Sequence, residues 1–314
     1  MRKSLFILII ILFFLSLLQL KGQNPLWTDG TAFTISKKHL ELSLFRQGKY
    51  GITKKDQISI HPLAFFVMPH VFYKRRWAKF KLFNQKFLFS SRHRVYYPHY
   101  ALRINNLLPF NFTEALPTGL SVPHTLALQN EVLVSHYLQE PSHCYAGDRL
   151  LTLRLGFKYS FKFTSGQQAL IYKPILYRET SVLSPAFIWY LGADIDGHLN
   201  AMFNYFADLD FYSQGYVENW SVESKMGIMG YRNKKISGFA GIKMAYSKTP
   251  TGNKFLIMPI AGASYHIDMR MRRKHGTDLF KNNIFKHDKC LERDDDYYDK
   301  LEEREALSDT IPRN

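Results

Sequence analysis

Apolar and polar residues alternate along residues 149–163. Leucine or an aromatic residue stands at every odd position from 151 to 163, and polar residues or glycine stand between them. Successive side chains of a strand point to opposite faces, so a strand separates these two sets, whereas a helix would mix them. At ~3.3 Å per residue the segment can cross a bilayer at a tilt, whereas soluble strands average about five or six residues. The pattern therefore predicts a membrane-crossing strand.

The same alternation recurs in stretches of roughly ten residues along most of the chain. Residues 187–199 and 203–212 repeat it, and the short link Leu199–Met202 predicts a hairpin. A second tight hairpin is predicted over Phe80–Phe89 around Asn84-Gln85, followed by a strand over Arg92–Tyr100. Weaker alternation marks residues 40–45, 132–138, 222–229, 236–246 and 255–267, with a turn at 248–253 and a long loop over 104–123. Together these segments predict ten to twelve strands.

Residues 1–23 have the form of a secretory signal peptide. Arg2 and Lys3 precede an apolar run from Leu5 to Leu20, and Lys21-Gly22-Gln23 follows it. A positive start, an apolar centre and a small residue before the cut define such a peptide, so we expect cleavage after Gly22. The alternative is an uncleaved anchor, although the run is slightly short of the ~20 residues that span a bilayer.

Export combined with alternation favours a transmembrane β-barrel. Within lipid every backbone N–H and C=O needs a partner inside the protein, which a closed sheet provides and an open sheet does not. Only alternate residues face lipid, which agrees with the modest mean hydropathy of −0.23. We predict an all-β fold, an antiparallel transmembrane β-barrel of about 10–12 strands over residues 23–268. Aromatic girdles at the membrane interfaces would include Tyr159, Trp189, Tyr205 and Tyr246.

The export segment ending Lys21-Gly22-Gln23, followed by Tyr- and Phe-rich alternating strands, resembles the uncharacterised outer-membrane β-barrel proteins of Bacteroidota. The resemblance covers roughly residues 1–268 and implies a location in the bacterial outer membrane. It also implies the partners found there, which are outer-membrane lipids, lipopolysaccharide and the barrel-assembly machinery. Many such barrels end on a strand with a terminal aromatic residue, whereas this chain ends Ile311-Pro312-Arg313-Asn314. An internal strand would then have to serve as the assembly signal.

Charge is unevenly distributed along the chain. The net charge is +16, or +13 once the signal peptide is removed, which favours an anionic partner, while the export segment argues against nucleic acid. Residues 269–314 form a charged tail that we expect to be solvent-exposed, with a periplasmic docking segment as the alternative. Cys144 and Cys290 are far apart and lack metal-ligand spacing, and a disulfide between them stays an open alternative.

Charged residues of opposite sign lie on faces that would point into the barrel. These residues are Arg154, Lys158 and Lys162 on one strand, and Asp194, Asp196, Asp208 and Asp210 on a later hairpin. If both faces line one lumen, the charges would pair and plug it, or form a polarised constriction that biases ion passage. The plainer interpretation is exposure in loops or local pairing across strands, each pair contributing about a few tenths of a kcal/mol.

Catalytic motifs are weak in this sequence. Outer-membrane phospholipases and lipid A deacylases use a Ser activated by His, for which Ser135-His136 and Ser90-Ser91-Arg92-His93 are the candidates. Adjacent strand residues point to opposite faces, so Ser135 and His136 are poorly placed as a dyad. Asp194-x-Asp196-Gly197 lacks the rest of a calcium loop, and no phosphate loop or Cys-x-x-Cys motif occurs. We therefore predict no metal, cofactor or catalytic residue.

The leading hypothesis is a non-enzymatic outer-membrane barrel that serves as a porin-like, transport or structural component of unknown substrate. A second hypothesis is a lipid-modifying barrel enzyme, which requires Ser and His on the same outward face. The third is a secreted, soluble β-sandwich that binds a partner, which requires the apolar faces to be buried between two sheets.

Overall fold

The computed structural model describes residues 29–43, 45–83, 85–101, 124–139, 149–163, 187–199, 203–213, 220–233, 235–249 and 252–269. The predicted signal peptide, the predicted loop 104–123, both cysteines and the charged tail beyond Met269 lie outside these residues. Within the described ranges the chain forms twelve strands and one short helix, and the strands pair antiparallel into a closed barrel. None of the described residues belongs to a helix that is both long and apolar enough to span a membrane.

The elements follow one another around the barrel. The strands are β1 (His39–Ser43), β2 (Gly48–Gly51), β3 (Asp56–Ile60), β4 (His70–Leu82), β5 (Gln85–Tyr96), β6 (Thr125–Gln139), β7 (Arg149–Lys162), β8 (Phe187–His198), β9 (Phe203–Ser213), β10 (Trp220–Asn233), β11 (Ile236–Thr249) and β12 (Gly252–Asp268). The helix α1 (Pro62–Val67) lies between β3 and β4. Each strand pairs with the next along the chain, and β1 pairs with β12 to close the sheet.

Turn chemistry places two connections. Strand β4 ends at Leu82 and β5 begins at Gln85, so the link between them lies one position before the predicted Asn84-Gln85. Phe83 has a left-handed φ of 49°, as tight hairpins require in order to match the twist of their strands. The predicted separate strand over Arg92–Tyr100 is wrong, because β5 runs unbroken through Arg92 and ends at Tyr96. The predicted hairpin around Leu199–Met202 is confirmed by the pairing of β8 with β9.

Helix α1 begins with a proline and a histidine cap. Pro62 is already fixed in a helical φ, and Nδ1 of His61 accepts a hydrogen bond from the Ala64 N–H at 3.1 Å. Burial lowers the pKa of His61, which keeps the imidazole neutral and Nδ1 able to accept. The cap therefore satisfies an N–H that the first turn would otherwise leave without a partner.

The register of the pairs sets the tilt of the barrel. Leu40 of β1 pairs directly with Ile267 of β12. Going around the barrel the other way, from Leu40 to its partner on β2 and then from partner to partner through β11, the pairing reaches β12 at Asn253. The stagger is therefore 267 − 253 = 14 residues. With ordinary strand spacings, this stagger in twelve strands corresponds to a tilt of about 40°, within the usual range for barrels.

The long strands turn their apolar side chains outward. Leu155 is 57% exposed, whereas its neighbour Arg154 is 2% exposed. One row of paired outward residues crosses seven strands and consists of Val132, Leu155, Leu191, Phe211, Val222, Tyr246 and Phe255. The predicted separation into an apolar and a polar face is confirmed. The β-sandwich hypothesis is wrong, because a single closed sheet exposes its apolar face and buries its polar one.

Aromatic rings form a continuous row on the outer face. Their centroids are 5.7 Å apart for Trp189 and Phe211, 6.3 Å for Phe211 and Trp220, and 5.5 Å for Trp220 and Tyr246. All four residues lie near the same end of the barrel, where β8 begins and β9 ends. An outward aromatic row near one rim is the arrangement found where a membrane meets water.

The two ends of the barrel differ in the lengths of their connections. At the end where β1 begins, the links are residues 52–55, 83–84, 140–148, 199–202 and 234–235, and none exceeds nine residues. At the opposite end, residues 97–124 and 163–186 form links of 28 and 24 residues. We call these the short-link end and the long-link end.

Candidate functional site

The lumen contains a buried cluster of one arginine and two aspartates. The Arg154 Nη2 lies 2.6 Å from Oδ1 of Asp194 and 2.7 Å from Oδ1 of Asp210. The three residues come from the neighbouring strands β7, β8 and β9, and each is at most 3% exposed. One guanidinium therefore binds two carboxylates, and the structure brings together three of the seven charged residues that the sequence singled out.

The other predicted charges have different surroundings. Asp208 pairs with Lys225 of β10 at 2.8 Å, and its second oxygen accepts the Lys225 backbone N–H at 2.9 Å. The Lys158 ammonium lies 5.5 Å from the ring centroid of Tyr212. Asp196 is buried and lines a cavity inside the barrel. The backbone of Lys162 pairs with Thr125, and the side chain of Lys162 lies outside the described part of the chain.

Three further ion pairs were missed by the sequence reasoning. They join inward residues of adjacent strands, at 2.8 Å for Lys243 and Glu223, 2.8 Å for Arg92 and Glu131, and 3.0 Å for Lys49 and Glu41. In the sequence, these pairs could have been found from a charged residue at an inward position of a strand with alternating apolar and polar residues. Charges at such positions need a partner, because an unpaired buried charge is costly.

Residues 29–35, which precede β1, form a segment inside the barrel that we call the luminal segment. Thr31 and Ala32 are buried, and the Ala32 N–H donates to Oγ of Ser135 at 2.8 Å. The Lys74 ammonium donates to the carbonyl oxygens of Thr31 and Phe33. Since Ser135 and Lys74 are inward residues of the wall, these bonds hold the luminal segment against the inside of the sheet.

Asp29 anchors the beginning of the luminal segment. Its carboxylate pairs with the Lys49 ammonium and lies 3.5 Å from the Arg46 guanidinium, while Arg92 Nη1 donates to its carbonyl oxygen at 3.0 Å. Burial alone would raise the pKa of Asp29, but Lys49 and Arg46 hold it below its ordinary value. Next to it, a Cβ at Gly30 would overlap the Asp194 carboxylate. Glycine is therefore the residue that lets the segment pass the Arg154 cluster.

A cavity of about 380 Å³ remains beside the luminal segment. One wall is charged and includes Asp29, Arg92 and Arg154, and the opposite wall is apolar and includes Phe239 and Ile260. No group of three metal-ligating side chains occurs among the residues that the structure describes. Asp194 and Asp196, which the sequence compared with a calcium loop, belong to β8.

A second polar cluster lies on the outer face. Oγ of Ser91 is 2.9 Å from Nε2 of His93, and Nδ1 of the same ring is 2.7 Å from Oδ1 of Asn130. The indole N–H of Trp77 donates to Oγ of Ser91 at 2.8 Å. Ser91 and His93 are two positions apart on β5, and His93 pairs with Asn130 of β6, so all three side chains share one face. We call Ser91, His93 and Asn130 the outer triad.

The pair Ser135-His136 has no such geometry. Oγ of Ser135 is 2.7 Å from Oγ1 of Thr152 inside the barrel. The His136 ring stacks on Phe87 on the outer face, with centroids 4.7 Å apart. The prediction that this pair is poorly placed as a dyad is confirmed, because the two side chains lie on opposite sides of the wall.

No protein-family model matches this sequence, and no curated protein matches it either. The fold and the two polar clusters therefore define only a class, a closed twelve-stranded barrel with an apolar exterior and a polar, ion-paired interior.

Proposed function

We propose that this protein is a bacterial outer-membrane β-barrel whose lumen is occupied by its own chain. The observation that carries the proposal is the continuous outward apolar row across β6 to β12, around an interior of buried ion pairs. Exposed apolar surface of this extent is costly in water but matches the hydrocarbon of a bilayer. Outer-membrane lipids and lipopolysaccharide are then the partners of the outer face.

Connection lengths and strand tilt support the same proposal. Membrane barrels of this kind have short periplasmic turns, longer extracellular loops and strands tilted by about 35–45°. The long-link end would therefore face outside and the short-link end the periplasm, where β1 begins and β12 ends. The tail that follows Met269 would then start in the periplasm, and the barrel-assembly machinery would receive the chain from that side.

The filled lumen favours a closed barrel over an open pore. The luminal segment crosses the interior, and Arg154 is held by two carboxylates beside it. An open porin needs a continuous water path, whereas these residues occupy the lumen and bind one another. A closed lumen leaves the lipid-facing surface and the two rims as the parts of this protein that contact other molecules.

Fractionation tests the membrane assignment. We expect the mature chain in the outer-membrane fraction, extracted only by detergent, with a gel mobility that changes on boiling because the folded barrel is compact. A chain that stays folded and monomeric in buffer without detergent would refute the proposal. Leu155→Phe, which keeps the outward apolar row, should behave as the wild type does.

Planar-bilayer recording tests the closed lumen. The wild type should show no steady single-channel current, and a variant lacking residues 29–35 should show open events. Asp208→Asn serves as the control, because Asp208 pairs with Lys225 of the neighbouring strand and its substitution leaves the luminal segment in place, so it should stay closed. A steady wild-type conductance that Asp208→Asn alters would instead support the polarised constriction.

A further inference from the structure

The outer triad lies at the edge of the outward apolar surface. On one side its neighbours across the sheet are apolar, because Val132 pairs with Ser91 and Phe157 pairs with Asn130. On the other side Arg75 and Tyr73 of β4 pair with Ser91 and His93. Val132 and Phe157 are 40% and 43% exposed. Polar side chains on a lipid-facing wall lose hydration without gaining stability from the bilayer, so their presence there points to function.

Hydrogen bonding gives each member of the outer triad one defined role. Oδ1 of Asn130 accepts a hydrogen bond from the Nδ1–H of His93. In the neutral imidazole, Nε2 of His93 then carries no proton. That nitrogen accepts the Ser91 hydroxyl, and Oγ of Ser91 in turn accepts the Trp77 indole N–H. The chain of donors and acceptors is complete. It is the arrangement in which a histidine activates a serine and a third residue orients the histidine.

We propose that the outer triad is the catalytic site of an esterase that hydrolyses acyl esters of membrane lipids. Ser91 is the nucleophile, His93 the general base and Asn130 the positioning residue. The proposal rests on the membrane location proposed above, because the triad opens toward lipid and not toward the lumen. The ligand class is a carboxylic ester on a long acyl chain, carried by either a glycerophospholipid or an acylated glycolipid.

The reaction needs only water as a second substrate. Oγ of Ser91 attacks the ester carbonyl carbon as its proton moves to Nε2 of His93. The carbon–oxygen bond to the alcohol breaks, and the alcohol leaves with the proton from His93. Water then attacks the acyl-Ser91 carbonyl, gives one proton to His93 and releases the fatty acid as that proton returns to Oγ. The products are one carboxylic acid and one alcohol.

Trp77 and Arg75 provide further groups beside Ser91. The register of β4 shifts between Arg76 and Ala78, so Trp77 sits at an irregularity that directs its indole toward Ser91. The indole N–H is placed to donate to the oxygen that becomes negative on the attacked carbonyl. Arg75 stacks 4.7 Å above the Trp77 ring and its side chain is 44% exposed, where it can meet an anionic headgroup.

Position along the strand also fits an ester substrate. Ser91 and His93 lie five and three residues before β5 ends at Tyr96, at the long-link end. At ~3.3 Å per residue and a tilt of about 40°, this places the triad roughly 8–13 Å from the end of the strand. Lipid ester bonds lie in this zone, between the headgroups and the centre of the hydrocarbon.

Covalent labelling tests the nucleophile directly. A fluorophosphonate probe bonds its phosphorus to an activated serine oxygen and releases fluoride. Detergent-folded wild type and Ser90→Ala should be labelled at Ser91, whereas Ser91→Ala should not. Ser90 is the matched control because it is the adjacent serine and faces the lumen. His93→Leu should also lose labelling although Ser91 is intact, which a purely structural role of the histidine would not produce.

Two substrates identify the lipid. Phosphatidylethanolamine and purified lipid A are each presented in octyl glucoside micelles, and released fatty acid is measured. We expect Ser91→Ala to lower the rate on the true substrate at least about a hundredfold. Equal rates for wild type and Ser91→Ala would overturn the proposal, as would folded wild type that neither reacts with the probe nor releases fatty acid.

Two measurements separate this proposal from the membrane assignment. Heat-modifiable mobility and outer-membrane fractionation report insertion alone, and p-nitrophenyl hexanoate reports esterase chemistry without a membrane. Inserted protein without labelling would refute the esterase only. Labelled protein that is folded in buffer would refute the membrane assignment only.

Asn130 is tested by its acceptor oxygen. Asn130→Asp keeps an acceptor for Nδ1 of His93 and should keep most of the activity. Asn130→Leu removes the acceptor and should lower kcat at least about tenfold with KM little changed, since the residue does not touch substrate. Equal kcat in Asn130→Leu and wild type would remove Asn130 from the site.

Discussion

Polar residues on the two sides of the barrel wall are organised in different ways. Inside, Arg154 is bound by Asp194 and Asp210, and further pairs join adjacent strands, so each of these buried charges lies against one of opposite sign. Outside, Ser91, His93 and Asn130 are uncharged or weakly basic groups linked in a single chain of hydrogen bonds, with apolar side chains on the β6 and β7 side. The inner arrangement pairs charges, whereas the outer one directs hydrogen bonds to a serine hydroxyl, which is the basis of the proposed esterase.

If the outer triad is the esterase site proposed above, this difference separates residues that stabilise the barrel from residues that act on a ligand. A buried ion pair becomes costly when one partner is lost, because the other charge stays in a medium of low dielectric constant. A polar group facing lipid can be replaced by an apolar one at little or no cost in stability. The same kind of substitution should therefore have opposite consequences on the two sides of the wall.

The largest effect is expected for Arg154→Leu. This variant leaves the carboxylates of Asp194 and Asp210 buried together without the guanidinium, and we expect a loss of about 3–5 kcal/mol in the free energy of unfolding. Urea titration in detergent micelles measures it. Lys225→Met is the control, because Lys225 is 28% exposed and its pair with Asp208 should contribute at most about 1 kcal/mol. Equal losses for both variants would contradict the special role of the Arg154 cluster.

The next effect is expected for Leu155→Arg on the outer face. A guanidinium in the middle of the outward apolar row should cost about 2–4 kcal/mol in a bilayer. Refolding into phosphatidylcholine vesicles, with urea titration, measures this cost. Phe163→Arg, just beyond the end of β7, should cost about 1 kcal/mol or less. If the two positions tolerate arginine equally, the row around Leu155 does not face hydrocarbon.

A smaller effect is expected from acid acting on Asp29. Its folded pKa lies below the ordinary value of 3.8, so its ion pairs stabilise the fold above about pH 4 and are lost as pH falls below that value. The Asp29 side chain is 23% exposed, so water screens part of the interaction and we expect about 1 kcal/mol. Urea titrations at pH 7 and pH 3 should differ by this amount more in wild type than in Asp29→Asn.

The smallest change in stability is expected for His93→Leu. In the proposed membrane location the ring faces lipid, so its replacement should shift the free energy of unfolding by less than about 0.5 kcal/mol while esterase activity disappears. Parallel urea titration and fluorophosphonate labelling of the same sample test this. A loss of several kcal/mol would mean that the outer triad, like the Arg154 cluster, serves to hold the wall together.

Much of the fold was predictable because strands β7 to β12 are long and apolar residues recur along them with a period of two, most regularly in β7, β8 and β9. The faces assigned to residues 151–163 and 187–198 follow from a two-residue period. This assignment does not change if the predicted ends of the strands are wrong by a few residues. Strands β2 and β3 are four and five residues long, which is too short for a period to appear, and neither was predicted. The luminal segment has no period, because its contacts are made by the wall and not by its own alternation.

The candidate sites depend on register, which the sequence pattern does not contain. Asp194, Asp208 and Asp210 were predicted to face inward, but only the pairing of β7 with β8 and of β8 with β9 shows which of them meet Arg154. Ser91 and His93 are visible as a same-face pair in the sequence. Their third partner, Asn130, lies 37 residues from His93 and is brought next to it by one particular register of β5 and β6.

The luminal segment also constrains the order of assembly. Residues 29–35 lie inside the barrel, which closes at the seam where β1 pairs with β12, the first and last of the described strands. A peptide that is hydrogen-bonded to β4 and β6 from within must be in place before that seam closes, since a finished cylinder offers little room for threading. Closure of the barrel therefore depends on correct placement of the luminal segment. A chain in which this segment is misplaced would close around an unfilled lumen or fail to close.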